Sequence, residues 1–165
     1  SAVATASVAP AVQSEDDDLT PEERTLISPA TIAKSAHTEK TILVIDDDHS
    51  VLELAERILT KEGYRTLMTD NPQTGLQMAR TVRPDIVIID VILPGSSGWK
   101  ILEEIRSDRN CNHCKVIMLS VMDERSNAYK AGADAFLGKP LDRDVLVRAL
   151  ESANQGSLVE AKRAG

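Results

Sequence analysis

Aromatic residues are scarce in this 165-residue chain, where Tyr64, Trp99, Tyr129 and Phe136 make up only 2% of the sequence. Proteins that bind single-stranded nucleic acid stack bases on such rings, so this class is disfavoured. Basic residues are also in deficit, since 19 lysines and arginines stand against 26 acidic residues and give a net charge of −7. That charge argues against binding to nucleic acid or to an anionic membrane surface.

Cysteine and long apolar runs are scarce as well. The two cysteines, Cys111 and Cys114, are too few for a disulfide scaffold, which favours a reducing, cytoplasmic environment. No apolar run approaches the ~18 residues of a membrane helix, and no signal peptide opens the chain. Because 42% of the residues are apolar, a hydrophobic core can form. The sequence thus predicts a soluble, cytoplasmic domain without membrane contacts.

Residues 1–40 differ in composition from the rest of the chain. They contain an acidic run at 15–18, several prolines and no aromatic residue. We interpret them as a flexible linker, in which Thr20 could cap a short helix at 21–26. A regular domain is predicted for residues 41–153, followed by a tail at 154–165. The first residue is serine rather than methionine, which suggests that the chain was cut from a longer one.

Within residues 41–153, short apolar runs alternate with segments of helical periodicity. The apolar runs lack polar alternation, as in strands that are buried on both faces. Strands that alternate with helices predict a single doubly wound α/β domain with a parallel sheet. The runs lie at 42–45, 65–69, 86–89, 116–119 and 133–138, and the helical segments begin near Ser50, Asn71, Gly98, Glu124 and Asp142.

Polar residues follow four of the five predicted strands. Asp46, Asp47 and Asp48 follow the first strand, while Asp90, Ser120 and Lys139 follow the third, fourth and fifth. The carboxyl ends of parallel strands meet at one edge of the sheet, where α/β proteins place their sites. Converging carboxylates repel one another unless a cation lies between them. Lys139 supplies one cation, and Mg²⁺ suits oxygen ligands of this kind.

This residue set predicts phosphoryl chemistry. Asp90 could act as a nucleophile toward phosphorus, as carboxylates do in enzymes that form an aspartyl phosphate. Ser120 could then donate a hydrogen bond to a phosphoryl oxygen, while Lys139 and the metal neutralise charge. For Asp48, capping of the following helix is the favoured interpretation.

Residues 41–153 resemble the receiver domain of two-component response regulators. The motifs are Ile-Leu-Val-Ile-Asp46-Asp47-Asp48, Ile-Val-Ile-Ile-Asp90-Val-Ile-Leu-Pro-Gly, Val-Ile-Met-Leu-Ser120 and Gly-Lys139-Pro140. The resemblance implies a flavodoxin-like fold, with five parallel strands in the order 2-1-3-4-5 and five helices. It also implies a signalling module, rather than an enzyme, that accepts a phosphoryl group from a sensor histidine kinase or a histidine phosphotransfer domain.

The resemblance also assigns roles to individual residues. Asp90 would be the phosphoacceptor, Asp47 a direct Mg²⁺ ligand, and Asp46 a ligand acting mainly through water. The remaining expected roles are a Mg²⁺ contact by the backbone carbonyl of Ile92, pairing of Lys139 with the phosphoryl group, a cis peptide before Pro140, and a switch formed by Ser120 and Phe136. Phosphorylation would bias the surface of the fourth helix, fifth strand and fifth helix, where a downstream partner would bind.

Two departures from the family pattern concern access and hydrolysis. Val121 stands where the family usually has alanine or glycine, so we expect narrower access and a preference for the partner kinase over small phosphodonors. Ile92 and Met122 lie two positions beyond Asp90 and Ser120, where the family influences hydrolysis. Both are apolar, which predicts a long-lived phosphoryl group.

Other interpretations of the sequence stay open. One is a pseudo-receiver that binds partners without phosphorylation, and another is a metal-dependent phosphohydrolase with an aspartyl-phosphate intermediate. Cys111 and Cys114, with His113 between them, could form a metal or redox motif, although free thiols are favoured because no second ligand pair exists. The absence of a DNA-binding segment suggests a stand-alone receiver or the receiver of a hybrid sensor kinase.

Overall fold

A five-stranded parallel sheet forms the centre of the protein. The structure is a computed structural model that describes residues 40–155, so most of the predicted linker and tail, and the helix expected at 21–26, lie outside it. The strands are β1 (Thr41–Ile45), β2 (Arg65–Thr69), β3 (Ile86–Asp90), β4 (Lys115–Ser120) and β5 (Ala135–Gly138). They are paired in the order β2-β1-β3-β4-β5, which confirms the predicted fold.

Within residues 40–155, four helices connect these strands, a fifth follows the last strand, and together they cover both faces of the sheet. They are α1 (His49–Lys61), α2 (Pro72–Val82), α3 (Gly98–Ser107), α4 (Arg125–Lys130) and α5 (Arg143–Gln155). None of the helices within residues 40–155 has both the length and the apolar character needed to cross a bilayer.

The core consists of two apolar layers, one on each face of the sheet. Successive strand residues point to opposite faces, so Leu43 and Ile45 lie in one layer while Ile42 and Val44 lie in the other. The first layer packs against α2 and α3, and the second against α1 and α5. Because both faces are covered, the central strands are continuously apolar, which explains the pattern in the sequence.

Helix starts follow the local sequence, with one correction. Asn71 and Asp142 accept hydrogen bonds from the Thr74 and Val145 amides, at 2.9 and 3.2 Å, as caps of α2 and α5. The helix expected to begin near Ser50 begins at His49, because Asp48 is the cap of α1, as the sequence favoured. The Asp48 carboxylate accepts both the amide and the hydroxyl of Ser50, at 2.9 and 2.6 Å, so the helix begins earlier.

A short hairpin lies between β3 and α3. Ile92–Leu93 and Ser96–Ser97 pair antiparallel, apart from the main sheet. The turn between them is Pro94-Gly95, in which Gly95 has a φ of 70°. Proline followed by a residue with positive φ is typical of a tight turn, so this pair closes the hairpin.

Arg106 of α3 joins three segments at the amino end of β4. Its guanidinium donates to the carbonyl oxygens of Cys114 and Gly132, at 2.6 and 2.9 Å. It also forms an ion pair of 2.7 Å with Asp134, and both side chains are mostly buried. The loops before β4 and β5 are therefore fastened to α3 by a single side chain.

Arg106→Ala is expected to lower the free energy of unfolding by about 2–4 kcal/mol, since the Cys114 and Gly132 carbonyls and the partly buried Asp134 carboxylate lose a charged donor. Urea unfolding of both proteins measures the difference. Arg80→Ala is the control, because Arg80 pairs with Asp108 at 2.7 Å but is more exposed, and its loss should be below about 1 kcal/mol. Equal losses for the two variants would contradict the role given to Arg106.

Candidate functional site

Four strands deliver the predicted polar residues to one edge of the sheet. Asp46 and Asp47 directly follow β1, and Asp90 ends β3, the neighbour of β1 in the sheet. Ser120 ends β4, and Lys139 follows β5. The Lys139 amide donates to the Ser120 carbonyl at 2.8 Å, so the pairing of these strands continues into the site. The peptide bond between Lys139 and Pro140 is cis.

Lys139 lies between two buried carboxylates. Its ammonium nitrogen is 3.0 Å from Oδ2 of Asp46 and 3.3 Å from Oδ2 of Asp90. Burial acts to lower the pKa of Lys139, but the two carboxylates outweigh it and the pKa is raised. Lys139 is therefore held in its charged form, as a fixed positive charge beside Asp90.

Asp90 is a weaker acid than an ordinary aspartate. Burial and then the charge of Asp46 raise its pKa to about 6, against the opposing effects of Lys139 and the Ile92 amide. The Ile92 amide donates to Oδ1 of Asp90 at 3.3 Å, and only 4% of Asp90 is exposed. The pocket therefore holds more negative charge than its one lysine neutralises, which favours an added cation.

The three aspartates fit a hard metal cation. Asp46, Asp47 and Asp90 each place a carboxylate oxygen within 4.8 Å of the others. Oδ1 of Asp46 accepts the Asp48 amide at 2.8 Å. Its buried Oδ2 pairs with the Lys139 ammonium at 3.0 Å. Three close carboxylates with a single neutralising lysine form an all-oxygen donor set that suits Mg²⁺.

The predicted switch residues are both buried. The Ser120 hydroxyl oxygen accepts a hydrogen bond from the Met122 amide at 3.0 Å. The same hydroxyl lies 3.4 Å from Oε2 of Glu124, to which it donates. The Phe136 ring is covered by the Arg125 guanidinium, 5.6 Å from the ring centroid. Sequence reasoning missed Glu124 and Arg125, since neither belongs to a motif.

Three exposed apolar side chains closely follow the pocket residues in the chain. Ile92, Val121 and Met122 are 60%, 67% and 61% exposed, respectively. Each lies one or two residues beyond Asp90 or Ser120 in the chain. Their side chains are therefore available to a molecule that approaches the pocket and are not part of the core.

Gly98 brings α3 against the backbone that carries Asp90. Its amide donates to the Val91 carbonyl at 2.7 Å. A Cβ at this position would overlap the Asp90 carbonyl oxygen and lie 2.9 Å from the Val91 Cα. Only a residue without a side chain permits this approach, so Gly98 helps to position the end of β3.

Cys111 and Cys114 do not contribute to the polar pocket. They lie before β4, at the opposite end of that strand from Ser120, and both are buried and free, which confirms the favoured prediction. Burial, and then the charge of Cys111, raises the pKa of Cys114 to about 12. Its thiol donates to the Pro84 carbonyl at 3.0 Å. Such a thiol stays protonated, which disfavours metal binding and redox chemistry.

Known response regulators and related proteins are similar to this chain in sequence. PleD, a response regulator of Caulobacter vibrioides, is 32% identical over 121 residues, which cover 72% of this chain and 27% of PleD. The chain thus spans about a quarter of that relative's length. Protein PilH of Pseudomonas aeruginosa is 26% identical over 70% of this chain and 98% of PilH.

Two solved structures have the same fold. The chemotaxis response regulator CheY4 of Vibrio cholerae superposes with a TM-score of 0.65 at 22% identity, over 69% of this chain and 98% of CheY4. A CheY-like receiver domain protein of Methanospirillum hungatei superposes with a TM-score of 0.63 at 28% identity, over 76% of this chain and 98% of that protein. The sequence model of the response regulator receiver domain matches residues 42–151. The chain therefore belongs to the family of response regulator receiver domains.

Proposed function

We propose that this receiver domain accepts a phosphoryl group on Asp90 from a phosphohistidine of a sensor kinase or a phosphotransfer domain. An Asp90 carboxylate oxygen would attack the phosphorus, the bond from phosphorus to the imidazole nitrogen would break, and the imidazole would leave with the bonding electron pair. The observation that carries the proposal is the position of Lys139, 3.3 Å from Asp90 and 3.0 Å from Asp46. Its charge can stabilise the transferred phosphoryl oxygens.

Asp46, Asp47 and Asp90 would hold Mg²⁺, together with the backbone carbonyl of Ile92. When bound, the metal would neutralise the carboxylates and the phosphoryl oxygens. The three close carboxylate oxygens, whose charge Lys139 only partly neutralises, support this assignment. The protein ligands come from two neighbouring strands, so the rigid sheet would fix their spacing.

Ser120 would donate its hydroxyl proton to a phosphoryl oxygen, and Phe136 would respond to that movement. The contact between Phe136 of β5 and Arg125 of α4 supports a path to the surface of α4, β5 and α5. A downstream partner would bind this surface differently before and after phosphorylation, which makes the domain a two-state signalling module that catalyses its own phosphoryl transfer.

A phosphohydrolase would need a second acid two residues beyond the nucleophile, and the exposed apolar side chain of Ile92 occupies that position. We therefore favour the receiver function. A pseudo-receiver would retain the fold without responding to a phosphoryl group, and the experiment below separates it from our proposal.

The test is titration with beryllofluoride, a stable mimic of a phosphoryl group, in the presence of Mg²⁺. Amide NMR shifts of residues 40–155 report where the protein responds. We expect changes around Ser120 and Phe136 in the wild type and none in Asp90→Asn. A wild type that does not respond would be a pseudo-receiver, and a response that survives in Asp90→Asn would place the acceptor elsewhere.

Val121→Ala is expected to speed labelling by a small phosphodonor. Val121 is exposed and directly follows Ser120 in the chain, and its replacement removes two methyl groups from the approach to Asp90. Mass spectrometry of the intact protein, sampled over time in acetyl phosphate, gives the labelling rates. Comparable rates for the two proteins would refute narrow access, and labelling by a partner kinase should change less.

Two expectations stay predictions. The apolar side chains of Ile92 and Met122 are exposed, which agrees with little assistance to an attacking water and a long-lived phosphoryl group. The hybrid-kinase context also stays a prediction: the relatives include PilH, matched over 98% of its length, and PleD, matched over 27%.

A further inference from the structure

Glu124 makes a contact that is unusual for its position. It is the N-cap of α4, yet its side chain makes no capping hydrogen bond. Its Oε2 instead accepts the Ser120 hydroxyl at 3.4 Å. The oxygen of that hydroxyl already accepts the Met122 amide at 3.0 Å, and Ser120 is buried. The hydroxyl is thus held by two partners from the loop that follows β4.

A serine hydroxyl has one proton to donate. In the structure that proton is directed to the Glu124 carboxylate. The proposed function requires the same proton for a hydrogen bond to a phosphoryl oxygen. Ser120 cannot serve both acceptors, and the two anions also repel each other at short range. Glu124 and the phosphoryl group therefore compete for the same donor.

We propose that Glu124 is a positioning residue that holds Ser120 in the unphosphorylated arrangement and so sets how readily the switch responds. This inference rests on the proposed function and adds a residue to it. Phosphorylation displaces Glu124 from Ser120, and the free energy of that exchange is subtracted from the free energy of phosphoryl binding. Removing the carboxylate therefore makes the active arrangement easier to reach.

Arg125, the next residue, links Glu124 to Phe136, the aromatic residue of the switch. Arg125 is the first residue of α4, and its guanidinium covers the Phe136 ring at a cation–π distance. Because Glu124 and Arg125 are consecutive, a backbone shift that accompanies the displacement of Glu124 would also move the side chain that covers Phe136. Ser120 and Phe136 are thereby coupled through the start of α4.

The experiment measures the affinity for beryllofluoride at saturating Mg²⁺ by calorimetry, in the wild type, Glu124→Ala and Glu124→Gln. Loss of the competing acceptor should tighten binding about three- to tenfold in Glu124→Ala, and less in Glu124→Gln, whose amide oxygen can still accept a hydrogen bond. In a Ser120→Ala background, Glu124→Ala should change the affinity less than about twofold, because the coupling needs the hydroxyl.

Asp123→Ala is the matched control for charge. Asp123 is an exposed acid whose carboxylate accepts the Arg125 amide at 3.3 Å. Asp123→Ala removes the same charge one residue away from Glu124, and it should leave the affinity for beryllofluoride within about twofold of the wild-type value. An equal gain in Asp123→Ala, or a gain in Glu124→Ala that persists without the Ser120 hydroxyl, would overturn the proposal.

Amide NMR of the free proteins gives an independent readout. In Glu124→Ala without beryllofluoride, the signals of Ser120 and Phe136 should move part of the way toward their bound positions. Unchanged signals together with unchanged affinity would show that Glu124 has no positioning role while leaving the receiver function intact. A wild type that binds no beryllofluoride would instead end the receiver proposal and this inference with it.

Discussion

Asp90→Asn is expected to make the metal-free protein more stable above about pH 7, by roughly 1–2 kcal/mol, although it removes the proposed phosphoacceptor. Asp90 is buried beside Asp46, and these two effects raise its pKa to about 6. A neutral amide avoids burying that charge. The gain falls short of the full pKa shift because Lys139 and the Ile92 amide lose a charged acceptor.

The sign of the pH dependence follows from the raised pKa. Between the ordinary aspartate value of about 3.9 and the folded value, the folded state binds more protons than the unfolded state. The wild type therefore loses stability as pH rises through this range, up to about pH 6. Asp90→Asn does not lose stability in this way. The difference in the free energy of unfolding between the two proteins should therefore be small at low pH and reach a plateau above the pKa of Asp90 in the folded wild type.

Urea unfolding in EDTA over a pH series measures this difference. Asp123→Asn, which removes an exposed carboxylate, should stay within about 0.5 kcal/mol of the wild type at every pH. Added Mg²⁺ should stabilise the wild type more than Asp90→Asn, since binding to the folded state raises its stability. A difference between wild type and Asp90→Asn that is constant with pH would show that the Asp90 charge is not its cause.

Gly98→Ala is expected to lower the free energy of unfolding by about 2–4 kcal/mol and to weaken beryllofluoride binding at least about tenfold. The new Cβ would overlap the Asp90 carbonyl oxygen and crowd the Val91 Cα. Both obstacles are backbone atoms, which cannot rotate away. Either α3 or the end of β3 must shift, and the second movement displaces the Asp90 carboxylate from Lys139.

Gly138→Ala is the matched control for Gly98→Ala. Gly138 ends β5 next to Lys139, yet a Cβ there would meet no atom within 4 Å. This variant should change the stability by less than about 1 kcal/mol and leave beryllofluoride binding within about twofold. Urea unfolding and calorimetry on both variants test the prediction. Wild-type affinity in Gly98→Ala would show that this contact does not position Asp90.

Much of the fold and of the candidate site could be predicted before the coordinates were known. Continuous apolar runs such as 86–89 predicted strands buried on both faces, because both sheet faces are covered by helices. Strand ends predicted which polar residues would meet, and Lys139 does lie within ionic contact of Asp46 and Asp90. These properties are periodic or local along the chain, so one sequence is enough to reveal them.

The tertiary structure decided the contacts between elements. The Glu124 contact with Ser120, the Arg125 cover of Phe136 and the close approach at Gly98 are not visible in any motif. Periodicity tells which face of an element is buried, but the atom that each side chain meets depends on how rigid elements pack at ångström precision.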